Sequence, residues 1–483
     1  MGKGKKILLL IVIVALLCGG YFAAKNLLAK NDTPTETADD ESVAVGAMQT
    51  DDIAGILYVS GDEKIELEKD GDTWYLKSDR SFPLKQAYAD TMASAAGDLQ
   101  AVRLVSESAD DFAQYGLDAA DTAYVFTLKD GAQVTYYIGN YNNIGSTYYM
   151  NVAGTQKIYL ISGDLLDAFG YGLKDLADVE AMQTVSTESV RDMTLTLDGE
   201  TTRLFQSPDG LASVYSDIFT WFLDEQTPAD ATNALDLVGK AVAFTENGCA
   251  DYKADEAELG AYGLDAPALT AKFDYTVSER KETGETDDDG EPITETVKHD
   301  ETMTLQVGSA AKDGSLYAKA DGSDVVYLID AEYLQTLRDF DFASLRSMRM
   351  CAVMSTDVES VDITVGNKTS TLTFTRTTKT DDEESVTYTL DGKEIPYEKY
   401  DDFYSAVQSV NAESVTDKEI PMDDAPIEMT FHTTRKGFET MTLRLKPFDK
   451  DFYVSQFNGT YGLLINKRDA EKIMHTFEAL TLV

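Results

Sequence analysis

The sequence predicts an α+β protein built from three tandem related units, each an antiparallel sheet with helices on one face, after a single N-terminal transmembrane helix. Three observations carry this. An apolar run from Ile7 to Ala24, broken only by Gly19 and Gly20, follows Lys3, Lys5 and Lys6. Strand-like alternation of period two gives way to helical stretches within each unit. One spacing also recurs three times: Tyr149, Tyr317 and Tyr453 each stand ten residues before Tyr159-Leu160-Ile161, Tyr327-Leu328-Ile329 and Leu463-Leu464-Ile465. Each triplet leads into a helical stretch that ends on a leucine at a matching distance, Leu176, Leu345 or Leu480. Such self-similarity is the signature of a repeated supersecondary unit.

At about 1.5 Å per helical residue, the apolar run is just long enough to cross a hydrocarbon core. Its basic flank belongs in the cytoplasm, which places the C-terminal bulk outside the cell membrane. Two other readings stay open. A cleaved signal peptide would use Ala23 and Ala24, although no A-x-A site is present. A lipoprotein would use Cys18, although the bulky Leu17 precedes it. Residues 1–30 are thus read as an anchor and residues 31–50, polar and acidic, as a disordered spacer. The repeat units follow at 51–182, 186–350 and 355–483.

Unit one opens as a meander with turns at Gly61-Asp62 and Asp70-Gly71. A helix starts at Phe82-Pro83, with Pro83 in an early helical position, and runs to about Leu99. A strand at Ala101–Val105 follows, then a short acidic helix with Ser108 as N-cap. That helix should stop at Tyr115-Gly116-Leu117-Asp118. With Gly116 left-handed, Leu117 and Phe112 form the apolar pair of a Schellman end. The same arithmetic applies to Tyr262-Gly263-Leu264-Asp265, with Leu259 as partner, so the motif reads as a helix stop, and binding by Asp118 or Asp265 is the lesser reading. Hairpins around Lys129-Asp130-Gly131 and Ala153-Gly154-Thr155 then give four antiparallel strands, closed by a helix from Asp164. Unit two carries an enlarged hairpin, about 269–281 and 292–307, and unit three offers only Asp424-Ala425-Pro426-Ile427 where the Tyr-Gly-Leu-Asp motif would stand.

Forty-one Lys and Arg against 85 Asp and Glu give a net charge of −44. A phosphate backbone would be repelled, which argues against nucleic-acid binding. Phosphate-loop, dinucleotide, zinc-protease and serine-hydrolase motifs are absent. His299, His432 and His475 lie far apart, so no catalytic residues, cofactor or metal site are assigned. Asp287-Asp288-Asp289-Gly290 fails as an EF-hand because Thr296 stands where Glu is required; weak Ca²⁺ binding is all that such acidic loops imply. Cys249 and Cys351 read as small buried residues or as one disulfide. Tyr136, Tyr137, Tyr141, Tyr148 and Tyr149 crowd one stretch, and those not spent on packing offer a partner face.

Trp74-Tyr75-Leu76, Phe82-Pro83-Leu84, Tyr115 to Ala119, Tyr136 to Gly139 and Tyr159 to Ile161, behind a lysine-led stem and a spacer, resemble the DUF4340 family of bacterial envelope proteins. The resemblance is best over 51–180, clear over 255–345 and weak beyond. The family has no established activity, and the resemblance implies genomic company with ABC-type exporters similar to those linked to gliding motility. Together these readings give a membrane-anchored, extracytoplasmic interaction protein, not an enzyme, that serves an ABC permease or another envelope protein. The alternatives are a module binding cell-wall or exported polymer, and an uncatalogued hydrolase.

Overall fold

The computed structural model describes residues 42–207, 214–225, 227–286, 292–378 and 384–482. The N-terminal segment expected to anchor the chain and the acidic hairpin tip at Asp287–Gly290 lie outside these residues. No described helix is long and apolar enough to cross a membrane. The chain divides into two compact units between Asp178 and Val179, and the second of these holds two of the three large sheets.

The first sheet has eight strands, ordered Thr73–Leu76, Glu63–Asp70, Ile53–Ser60, Thr122–Leu128, Gln133–Asn142, Thr147–Val152, Ile158–Ile161 and Arg103–Ser106. The chain lays down a three-strand meander and crosses behind the sheet through the helix Gln86–Gly97. It then places the edge strand Arg103–Ser106 and returns to fill the gap with a four-strand meander. All of these pairings are antiparallel.

The second and third sheets repeat this path. In the second, Val190–Leu197 and Glu200–Phe205 precede the helix Ala231–Val242, the edge strand is Glu246–Asp251, and the meander runs from Leu269 to Ile329. In the third, Val358–Val365, Lys368–Thr378 and Glu384–Leu390 precede the helix Tyr397–Gln408, the edge strand is Ser414–Val415, and the meander runs from Ile427 to Asn466. Residues of the recurring pattern occupy equivalent core places: Ile161, Ile329 and Ile465 are fully buried, as are Leu176, Leu345 and Leu480.

Alternation explains why each sheet has one dry face. In Ile427–Thr433 every second residue is buried, beginning with Ile427. The helices cover that face with short or aromatic side chains, Ala89, Met92, Ala93 and Ala96 in the first unit and Tyr400, Phe403, Tyr404 and Val407 in the third. Burying that apolar surface is the main stabilising term.

Several local expectations need correction. The sheets are larger than four strands, because the opening meander joins the later one edge to edge, through Ile53–Ser60 and Thr122–Leu128 in the first sheet. Pro83 lies outside the helix. Residues 83–85 are extended, with Leu84 bridged to Ala177, and the helix starts at Gln86. The Gln86 side chain holds that entry by accepting from the Trp74 amide at 2.8 Å and donating to the Trp74 and Leu84 carbonyls. No α-helix forms at 108–114. Only the 3-10 turn Ala113–Tyr115 does, and Ser108 donates to Gln156 instead of capping. Residues 42–50 are folded rather than spacer: Val43-Ala44 pairs with Gln100-Ala101, and Met48 is buried.

Candidate functional site

The glycine motif comes first because the sequence singled it out. Gly116 and Gly263 both have φ of +69°, the left-handed region that disfavours side chains. The Leu117 amide donates to the Phe112 carbonyl and the Gly116 amide to Ala113. Leu264 donates to Leu259 and Gly263 to Gly260 in the same way. This is the hydrogen-bond pattern of a Schellman end, here closing a 3-10 turn. Leu117 and Leu264 are buried in small clusters on the sheet face opposite the helices, whereas Asp118 and Asp265 are exposed. Tyr115 packs on Tyr149 with ring centroids 5.0 Å apart, and Tyr262 packs on Tyr317 at 4.9 Å. The geometry accounts for the motif as architecture in both copies.

The tyrosine stretch separates by strand parity. Tyr136 is fully buried and donates to the Ala96 carbonyl, so it belongs to the core and offers nothing to a partner. Burial pushes its phenol well above the usual range. Tyr148 and Tyr149 are half-buried against two apolar clusters. Tyr137, in mid-strand, and Tyr141 are exposed, and Ile144, at the hairpin end beyond Tyr141, is 99% exposed.

The imidazoles stay apart. His432 Nε2 lies 2.9 Å from Asp362 on the third sheet, His299 Nε2 lies 3.0 Å from Glu301 on the second, and His475 sits on an exposed helix face. Cys249 and Cys351 are both buried, and no disulfide joins them. Burial pushes the Cys351 thiol up to about 12. Among the described residues no group of three acidic, His or Cys side chains could hold a metal ion.

A concave feature lies inside the second compact unit, where its two sheets adjoin. It is a cavity of about 370 Å³, within the range of small-molecule pockets. Three segments build it. The first is Phe205, Ser207, Val214, Tyr215 and Phe222, at the described ends of the long excursion between Phe205 and Phe222. Those two residues are bridged as strand neighbours, so 221–222 occupies the place that Trp74-Tyr75 fills in the first sheet. The excursion carries Val214, Tyr215 and Phe219, which cluster with Phe222 and Ala352. Tyr215 packs on Phe457 of the third sheet at 5.0 Å and on Phe438 at 6.3 Å. Arg435 of the third sheet secures the excursion by pairing with Asp217 and, at 2.8 Å, with Asp357.

The second segment is the connection 345–353. It bridges residues on both sides: Ser347 donates to Pro228 and the Asp230 amide to Leu345, while Met350 donates to Val410 and the Ala412 amide to Met348. This places Arg346 and Arg349 in the cavity lining. Arg346 is half-buried, and its Nη2 donates to the Tyr461 carbonyl at 3.1 Å. Arg349 is exposed, with a long 3.4 Å contact to the Gln408 carbonyl. Neither forms an ion pair with a described residue. The third segment is the hairpin Phe452–Phe457 and Thr460–Asn466, turned at Asn458-Gly459 with both φ positive, which contributes Ser455, Phe457 and Leu463. Glu225 is the one carboxylate among the described lining residues.

The sequence reading missed this site. Its signals were there: Trp221 as the counterpart of Trp74, and residues 342–356, which hold both arginines and no acid in a chain of net charge −44. What the lining offers is a set of apolar and aromatic surfaces with two guanidinium groups. Burial holds the Tyr215 phenol far above the usual range, so it stays neutral. Such a wall can hold a molecule, and it presents no nucleophile–base pair among the described lining residues.

No curated protein and no solved structure matches the chain. A family model described as a domain of unknown function, DUF4340, matches it twice, over residues 74–267 and 221–426. Each match starts at a tryptophan, Trp74 or Trp221, and runs into the following unit. Together they span well over half the sequence, and the chain belongs to the DUF4340 family.

Proposed function

We propose that this chain is a membrane-tethered extracytoplasmic binding protein, an accessory of an ABC-type export or envelope complex. The observation that carries the reading is the cavity beside Arg346 and Arg349, a ligand-sized space walled by aromatic side chains from two sheets. The lysine-led apolar stem supports the tether, and the exporter-linked company implied by the family resemblance supports the partner. Tyr137 on the strand, and Tyr141 and Ile144 at the hairpin end that follows it, are exposed in the first unit and supply a contact for that partner.

The test places a photo-crosslinking residue at Tyr141 in the full chain and irradiates intact cells. The expected product is an adduct with an ABC permease, identified by mass spectrometry. Recovery of wall polymer alone would remove the exporter assignment and favour the polymer-binding alternative.

A further inference from the structure

The cavity in the second compact unit has an unusual charge. The chain carries twice as many acids as bases, yet among the described residues two arginines and one carboxylate line this space. A guanidinium stays charged at any physiological pH, and its planar fork matches the oxygens of a carboxylate or phosphate. Arg346 is half-buried and pairs with no carboxylate among the described residues, although a partly desolvated charge is costly to leave uncompensated. One of its nitrogens is satisfied by the Tyr461 carbonyl, which fixes the side chain and leaves the rest of the fork available. The same lining carries large apolar side chains: Phe222, Phe438, Phe457, Met350 and Leu463.

From this pairing of fork and apolar wall we infer that the cavity binds a small amphiphile with one anionic head, a carboxylate or phosphate, and an apolar tail. The head sits at Arg346 and Arg349 and the tail lies along the phenylalanines. A polyanion is disfavoured because the remaining charge of the protein repels it at long range, whereas a single head gains short-range contacts that outweigh that field. A neutral apolar ligand would leave both arginines without a counter-charge. The inference rests on the binding role proposed above and adds the chemistry of the ligand.

The test uses the full chain in phosphatidylcholine nanodiscs, with empty discs subtracted, and titrates decanoate, decyl phosphate and decanol by calorimetry. At least one anionic probe is expected to bind about tenfold tighter than decanol, the value of one charge-assisted hydrogen bond; which head is preferred identifies the source as a fatty acid or a lipid phosphate. Arg346→Gln with Arg349→Gln should abolish that preference and leave decanol unchanged. Arg349→Gln alone, at an exposed position, keeps the test open if the double variant does not fold. Thr227→Trp, on a lining loop, should block all three probes. Equal binding of decanol and both anions overturns the anionic inference while the cavity still binds. Unchanged binding in Thr227→Trp overturns the cavity itself.

Discussion

At the scale of single residues, close approach of backbone explains glycines that no turn requires. A Cβ on Gly139 would sit 2.2 Å from the Tyr115 carbonyl oxygen, and one on Gly308 would sit 2.2 Å from that of Tyr262. These glycines let the Tyr-Gly-Leu-Asp turn lie directly on the meander. Gly139→Ala and Gly308→Ala should each cost about 1–3 kcal/mol, the range for overpacking a filled site, read as a lower urea midpoint for the affected unit. An unchanged midpoint would show that the turn can lift away freely. Gly116→Val adds positive-φ strain and a clash with Asn140, and should cost at least about 1 kcal/mol. Gly116 was legible because a helix-stop motif has a sequence grammar. The need for Gly139 was not, since it depends on a carbonyl from a segment more than twenty residues earlier.

At the scale of elements, the sequence revealed the strands best where turn chemistry is strict. Gly61, Gly131 and Gly154 all have positive φ at the expected hairpin turns. It failed where a partner decides the outcome. The excursion from Phe205 to Phe222 lacks period-two alternation: Val214, Tyr215 and Phe219 pack into a local cluster, and Tyr215 packs onto the third sheet. The helix Ala231–Val242 shows a feature that sequence alone allows but does not demand: Asp230 accepts from the amides of Thr232 and Asn233. Asp230→Ala should lower stability by about 1 kcal/mol, measured by the same denaturation. Asp230→Asn should restore most of it, and failure of that rescue would show that the carboxylate's charge at the helix N-terminus, rather than its acceptor oxygen, supplies the stabilisation.

At the scale of the whole molecule, charge sets the response to solvent. A net −44 makes the folded chain repel itself, so raising NaCl from 0.05 to 0.5 M at pH 7 should raise the melting temperature. A fall would mean that the surface ion pairs outweigh the repulsion. Acid acts through particular carboxylates. His432 and Thr371 hold Asp362 below the usual carboxylate range, and hydrogen bonds from Thr302 and Lys272, against a desolvation penalty, do so for Asp274. A carboxyl with a lowered folded pKa stabilises above the ordinary carboxylate range, and that contribution is lost as pH falls through the folded value. Asp362→Asn should therefore flatten the stability profile below about pH 4, and a profile identical to the parent would rule that contribution out. The threefold repeat was visible at this scale because equivalent cores need equivalent leucines and isoleucines. The cavity was not, because its walls come from three stretches separated by some 250 residues.

The connection at 345–353 has a further consequence. Because its backbone is sewn to residues 228–230 on one side and to 410–412 on the other, it serves both neighbours at once. A gene encoding this protein cannot be cut there into interchangeable modules: each half would expose a raw seam. Limited proteolysis of the native protein should therefore spare 345–353, since cleavage there requires those backbone hydrogen bonds to open on both sides.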